Sequence, residues 1–145
     1  MIESILLVDD ENLFHLVFED ACSLLDITLS LEAISSSDEA DRLFRKWFLE
    51  GPEDEKPECM FVDLNIIGSS FDGIELIRKI NSEYGNGVVI GIISSSSDSE
   101  EIEKAKAVGA QFWIIKSDDI EPRLQQFYDD YASYRNGTGE FKIYR

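Results

Sequence analysis

The sequence predicts an α/β fold: a five-stranded parallel sheet, doubly wound, with five helices alternating with the strands. Three observations predict it. Short apolar runs alternate along the chain with stretches of helical periodicity. Four of the five runs are near-continuously apolar, as strands covered on both faces are. Four runs also stop abruptly at polar residues able to do chemistry: Asp9-Asp10, Asp63, Ser94 and Lys116.

The elements follow in order. Ile5-Leu6-Leu7-Val8 is a buried-strand run ending in Asp9-Asp10. From Phe14 the spacing turns helical, through Val17, Phe18, Ala21, Leu24 and Leu25. Thr28 to Ile34 alternates as a strand does, and Ser35-Ser36-Ser37-Asp38 is a loop that can supply a helix cap. Ala40, Leu43, Phe44, Trp47 and Phe48 then mark one helical face and are read as core. Gly51-Pro52-Glu53-Asp54-Glu55-Lys56-Pro57 is a charged, solvated connector. Cys59-Met60-Phe61-Val62 is the third strand, ending in Asp63. A loop opened by Gly68-Ser69-Ser70 leads to Asp72-Gly73 and a helix bearing Ile74, Ile77 and Ile80. Val88 to Ile93 is the fourth strand, stopping at a serine run. Asp98 to Val108 is a helix closed by Gly109, a residue suited to the left-handed turn after a helix. Phe112-Trp113-Ile114-Ile115 is the fifth strand, ending in Lys116, and the last helix carries Ile120, Leu124, Phe127, Tyr131 and Tyr134.

The 145 residues suit a single domain, here 1–134, followed by a tail over 135–145. Phe141 and Ile143 alternate in that tail, a pattern that fits an edge strand or a partner contact. Thirty acidic against 13 basic side chains give a formal net charge of −17. That excludes nucleic acid and anionic membranes as direct partners, because both require clustered Lys and Arg. The apolar stretch near the start is too short for a signal peptide or a membrane span. Cys22 and Cys59 form no CxxC motif. Together these features read as a cytoplasmic protein in a reducing compartment.

In open α/β sheets the ligand sits beyond the carboxyl ends of the strands. Folded this way, Asp9, Asp10 and Asp63 converge there with Ser94 and Lys116. Clustered carboxylates repel one another and favour a hard divalent ion, and Mg²⁺ suits two or three of them. A nearby ammonium and hydroxyl supply what an anionic phosphoryl group needs. The set therefore reads as metal-assisted phosphoryl transfer with no nucleotide-binding loop.

From about Ile5 to Tyr131 the chain resembles the response-regulator receiver domains of two-component signalling, stand-alone and chemotaxis-regulator-like. The resemblance rests on Asp9-Asp10, Phe61-Val62-Asp63-Leu64-Asn65, Asp72-Gly73, Ser94, Ala107-Val108-Gly109-Ala110 and Lys116, in that order and on matching elements. It implies a flavodoxin-like (βα)5 fold. It implies that Asp63 accepts a phosphoryl group from a sensor histidine kinase or a histidine phosphotransfer protein. Asp10, Asp63 and the main-chain carbonyl of Asn65 would ligate Mg²⁺, with Asp9 acting through water. Ser94 and Lys116 would bind the phosphoryl oxygens. Trp113 stands at the switch position, whose ring turns inward on activation. The output face would be the fourth helix, fifth strand and fifth helix, addressed to a downstream protein, with the chain a monomer or homodimer.

Two departures stand out. The loop Ile66-Ile67-Gly68-Ser69-Ser70-Phe71 is longer than usual and lacks the common proline. Ser117 replaces the usual proline after Lys116, and a cis bond before serine costs about 2.5–4 kcal/mol, so the path beyond Lys116 is left open. The alternatives are a degenerate receiver that binds proteins without phosphorylation and an Mg²⁺-dependent aspartyl-phosphate phosphatase. The phosphatase generally needs Asp-x-Asp after the first strand, whereas Asp9-Asp10-Glu11 stands here. His15 is read as a solvated helix residue.

Overall fold

The computed structural model describes residues 1–50, 56–85 and 87–145. The elements are β1 (Ile2–Val8), α1 (Asn12–Leu25), β2 (Thr28–Ile34), α2 (Ser37–Arg45), β3 (Cys59–Asp63), α3 (Gly73–Tyr84), β4 (Val89–Ser94), α4 (Ser99–Ala107), β5 (Phe112–Ile115), α5 (Glu121–Arg135) and β6 (Lys142–Tyr144). The strands form one sheet in the order β2-β1-β3-β4-β5-β6, every neighbouring pair parallel. The predicted architecture is present, with a sixth strand added at the β5 edge. Of the expected connector Gly51–Pro57, residues 51–55 lie outside the described residues.

Alternation along the strands divides the core. Leu6, Val8, Met60, Val62, Ile90, Ile92 and Trp113 face α2, α3 and α4. Ile5, Leu7, Cys59, Phe61, Val89, Ile93, Phe112 and Ile114 face α1 and α5. On the second face Phe61 meets Phe18, Phe112 and Phe127 at centroid distances of 5.0, 5.3 and 5.1 Å. Such pairs add about 0.5–1.5 kcal/mol each beyond their buried area. This packing fixes the carboxyl ends of β1, β3, β4 and β5 beside one another.

Caps set the helix starts. The side chains of Ser36, Asp72 and Asp98 accept the backbone N–H groups of Glu39, Glu75 and Glu101, each satisfying one orphan donor. Gly109, at φ +102°, follows α4 in the left-handed turn expected of it.

Two features differ from expectation, and the tail takes the edge-strand form that its alternation fits. β1 begins at Ile2, because Ile2 and Ser4 register with Thr28 and Ser30 of β2 although Glu3-Ser4 interrupts the apolar run. Residues Lys46–Glu50 form a π-helical turn after α2. Trp47 and Phe48 both reach Phe44, with centroids 5.4 and 5.6 Å away. The tail pairs as β6, with Trp113 opposite Ile143, and Tyr144 inserts among the α5 side chains. Among the described residues no helix is long and apolar enough to cross a membrane.

Candidate functional site

The strand order reverses between β1 and β3, and there the crevice opens. Asp9 and Asp10 continue β1, while Asp63 ends β3. The Asp9 N–H donates to the Ile34 carbonyl at 3.0 Å, which holds the chain to the sheet one residue past β1. The Asp9 side chain is fully buried, and its Oδ1 accepts the Glu11 N–H at 2.8 Å. Asp63 registers with Ile93, so Ser94 comes next on the neighbouring strand. The Lys116 N–H donates to the Ser94 carbonyl at 2.8 Å, tying the end of β5 to β4. The Lys116–Ser117 peptide is trans.

These ends bring the predicted residues together. Asp9, Asp10 and Asp63 each offer a carboxylate oxygen within 4.8 Å of the others. Lys116 Nζ lies 2.8 Å from Asp9 Oδ2, 2.9 Å from Glu11 Oε1 and 3.6 Å from Asp63 Oδ2. It also sits 4.4 Å from the centre of the Phe14 ring. Ser94 is buried, and its Oγ accepts the Ser96 N–H at 3.1 Å. Asn65 is exposed two residues past Asp63.

Gly73 permits this packing. A Cβ there would stand 2.2 Å from the Asp63 carbonyl oxygen. Its N–H donates to the Leu64 carbonyl at 2.9 Å, so α3 starts directly against the end of β3. The long loop between them is stitched to α2. Ser37 Oγ donates to the Phe71 carbonyl at 2.7 Å, while Ser69 Oγ and Asp38 Oδ2 accept the N–H groups of Ser37 and Ser70.

The electrostatics follow from burial. Desolvation pushes the Asp63 carboxyl up to about 7, the Asp9 charge reinforces it, and Lys116 only partly opposes the shift. Burial alone would lower the Lys116 ammonium, but its bonds to Asp9 and Glu11 outweigh that and raise it. One cation faces four carboxylates here. Asp9 Oδ2 is buried and accepts no well-aligned hydrogen bond, the ammonium being its compensation. Oxygen-only donors, excess negative charge and an under-used buried oxygen fit a hard divalent cation.

Trp113 is fully buried on the α4 side, with its indole N–H donating to the Ser96 carbonyl at 3.0 Å. His15 differs from expectation. It is half-buried, and its imidazole Nε2 hydrogen-bonds the Asp9 carbonyl, because the first turn of α1 lies over the loop after β1. Glu11 and Phe14 are contacts of Lys116 that the spacing alone did not single out. The available signal was a third acid directly after the acidic pair.

A family model described as response regulator receiver domain matches residues 5–126. No curated protein matches the sequence. Solved structures similar to the chain include the phosphorylated cyanobacterial phytochrome response regulator RcpA. It is 20% identical with a TM-score of 0.71, over 96% of this chain and 97% of that one. Response regulator RPA3017, in red light signaling of R. palustris, is 16% identical with a TM-score of 0.75 over 96% and 97%. The Mn²⁺-bound form of response regulator Rcp1 is 16% identical with a TM-score of 0.65 over 90% and 92%.

Proposed function

The chain belongs to the response regulator receiver domain family, and on that premise we propose that it is a phosphorylation-dependent signalling switch whose acceptor is Asp63. The observation that carries this reading is the convergence on Asp63 of two further carboxylates within 4.8 Å and an ammonium at 3.6 Å. The donor is a phosphohistidine of a sensor histidine kinase or phosphotransfer protein. An Asp63 carboxylate oxygen attacks phosphorus, the P–O bond forms as the P–N bond breaks, and the imidazole departs with the bonding electrons and is protonated by solvent. The product is an aspartyl phosphate.

Asp10, Asp63 and the main-chain carbonyl of Asn65, with Asp9 acting through water, would hold Mg²⁺, which when bound supplies neutralising charge for the phosphoryl oxygens. A similar structure, Rcp1, is a Mn²⁺-bound form. Lys116 reaches the incoming oxygens as a donor. Ser94 adds a hydroxyl on the β4 side, and its carbonyl already anchors Lys116. Burial of Asp63 excludes water that would compete with the donor. The new dianion, carrying about −1.5 to −2 charges, draws Ser94 and Lys116 and biases the surface around Trp113 between two arrangements. A downstream protein reads that surface. Free, buried Cys22 and Cys59 suit a reducing compartment, and the expected location is the cytoplasm.

Incubation with acetyl phosphate and Mg²⁺ adds one phosphoryl group to the wild type and none to Asp63→Ala. Equal labelling of that variant overturns the assignment. Steady turnover of a phosphomonoester would instead mark an enzyme.

A further inference from the structure

We propose that Glu11 is a positioning residue that latches Lys116 away from Asp63 in the resting protein and so sets the rate of phosphoryl capture. The inference rests on the acceptor role of Asp63. Three observations carry it. Lys116 Nζ makes close contacts with Glu11 and Asp9, at 2.9 and 2.8 Å, but stands 3.6 Å from Asp63. Its ammonium also lies 4.4 Å from the centre of the Phe14 ring, in the first turn of α1 close to Glu11 in sequence, so a cation–π contact adds to the hold on that position. The two acids also differ in freedom. Asp9 is fully buried, whereas the Glu11 side chain is 63% exposed. Of the two close partners, Glu11 is the one that solvent can take over when Lys116 leaves.

The Glu11 backbone has a separate task, since its N–H holds Asp9 Oδ1. A side-chain substitution leaves that bond in place. During phosphorylation from acetyl phosphate, the Asp63 carboxylate attacks phosphorus and acetate departs with the bonding electrons. For that transfer Lys116 must swing from Glu11 to the phosphoryl oxygens as they enter the site. Glu11 competes with those oxygens for one ammonium, and a partly exposed ion pair of this kind is worth about a two- to fivefold change in rate.

The test compares wild type, Glu11→Gln and Glu11→Asp. Glutamine removes the charge, while aspartate keeps the charge but shortens the reach. Labelling rates with acetyl phosphate and Mg²⁺ are measured at low and high salt, alongside the ¹⁵Nζ signal of Lys116 in metal-free protein. The latch requires both variants to label about two- to fivefold faster and both to shift the Lys116 signal. Faster labelling by glutamine alone, abolished by salt, identifies a general field effect and overturns the latch. An unchanged Lys116 signal in Glu11→Gln overturns it whatever the labelling shows. Labelling that persists in Asp63→Ala, or a wild type that takes no label, refutes the acceptor assignment instead, and the Lys116 signal still decides the resting contact.

Discussion

Lys116 Nζ stands 3.6 Å from Asp63 Oδ2, beyond direct hydrogen-bonding distance, although both groups are buried in one crevice. The ammonium offsets part of the site's negative charge without being committed to the acceptor. Replacing it exposes how much of the metal-free fold depends on that charge.

Lys116→Met leaves Asp9 buried and without its counterion. Breaking a buried pair from one side costs about 3–5 kcal/mol, so urea denaturation in EDTA should show a loss of that order. Added Mg²⁺ should recover part of it, because a second cation becomes available to the same oxygens. A variant as stable as wild type in EDTA would show that the carboxylates are already protonated or hydrated.

The raised Asp63 carboxyl gives a pH signature. Its folded value, about 7, lies above the ordinary 3.8, so between these values the folded state keeps a proton that the unfolded state has lost. Protonation therefore stabilises the fold. This contribution is full below about pH 4 and disappears as pH rises through 7, at up to ~1.4 kcal/mol per pH unit. Metal-free Asp63→Asn should lack that slope in denaturation curves taken from pH 5 to 8. Equal slopes in both proteins would remove Asp63 as the titrating group.

Gly73→Ala tests the close approach of α3 to β3. The added methyl would meet the Asp63 carbonyl at 2.2 Å, and backbone is the obstacle, so the helix start must move. Overpacking of this kind costs about 1–3 kcal/mol. The expected result is a lower denaturation midpoint together with slower labelling. Unchanged labelling at reduced stability would separate the packing from the acceptor geometry.

The tail offers an independent stability test. Tyr144 is 4% exposed, its hydroxyl lies 2.7 Å from that of Tyr134, and it donates to Asp130 Oδ2 at 2.8 Å. Tyr144→Phe leaves the buried Tyr134 hydroxyl without that partner, while Asp130 keeps Lys142 at 3.0 Å, a loss of about 1–3 kcal/mol. Deleting residues 136–145 uncovers the β5 edge as well and should cost more. No change in midpoint for the deletion would show that β6 adds nothing to the fold.

Much of this was legible in the sequence for a physical reason: doubly covered strands need uninterrupted apolar residues, so the breaks at Asp63, Ser94 and Lys116 marked the crevice. What escaped lay where local pattern and tertiary contact part company. The first half of β1 carries Glu3-Ser4 and is a strand through its pairing with β2. The π-helical turn after α2 is set by the rings of Trp47 and Phe48 closing on Phe44, which spacing cannot distinguish from an ordinary helix. Glu11 counted against a phosphatase motif, while its contact with Lys116, 105 residues away, follows only from the closed sheet. His15 escaped in the same way, since its partner is a backbone carbonyl that no side-chain pattern announces.

β6 also bears on colloidal behaviour. An open strand edge is a template for adding strands from other molecules, and natural sheets blunt it with short strands and lysine. Here the rim beyond β5 is three residues long and includes Lys142. The opposite rim, β2, is seven residues long with Leu29 exposed. Edge-to-edge aggregation of this protein is thus expected to begin at β2, and its one acidic residue, Glu32, is the residue that guards that border.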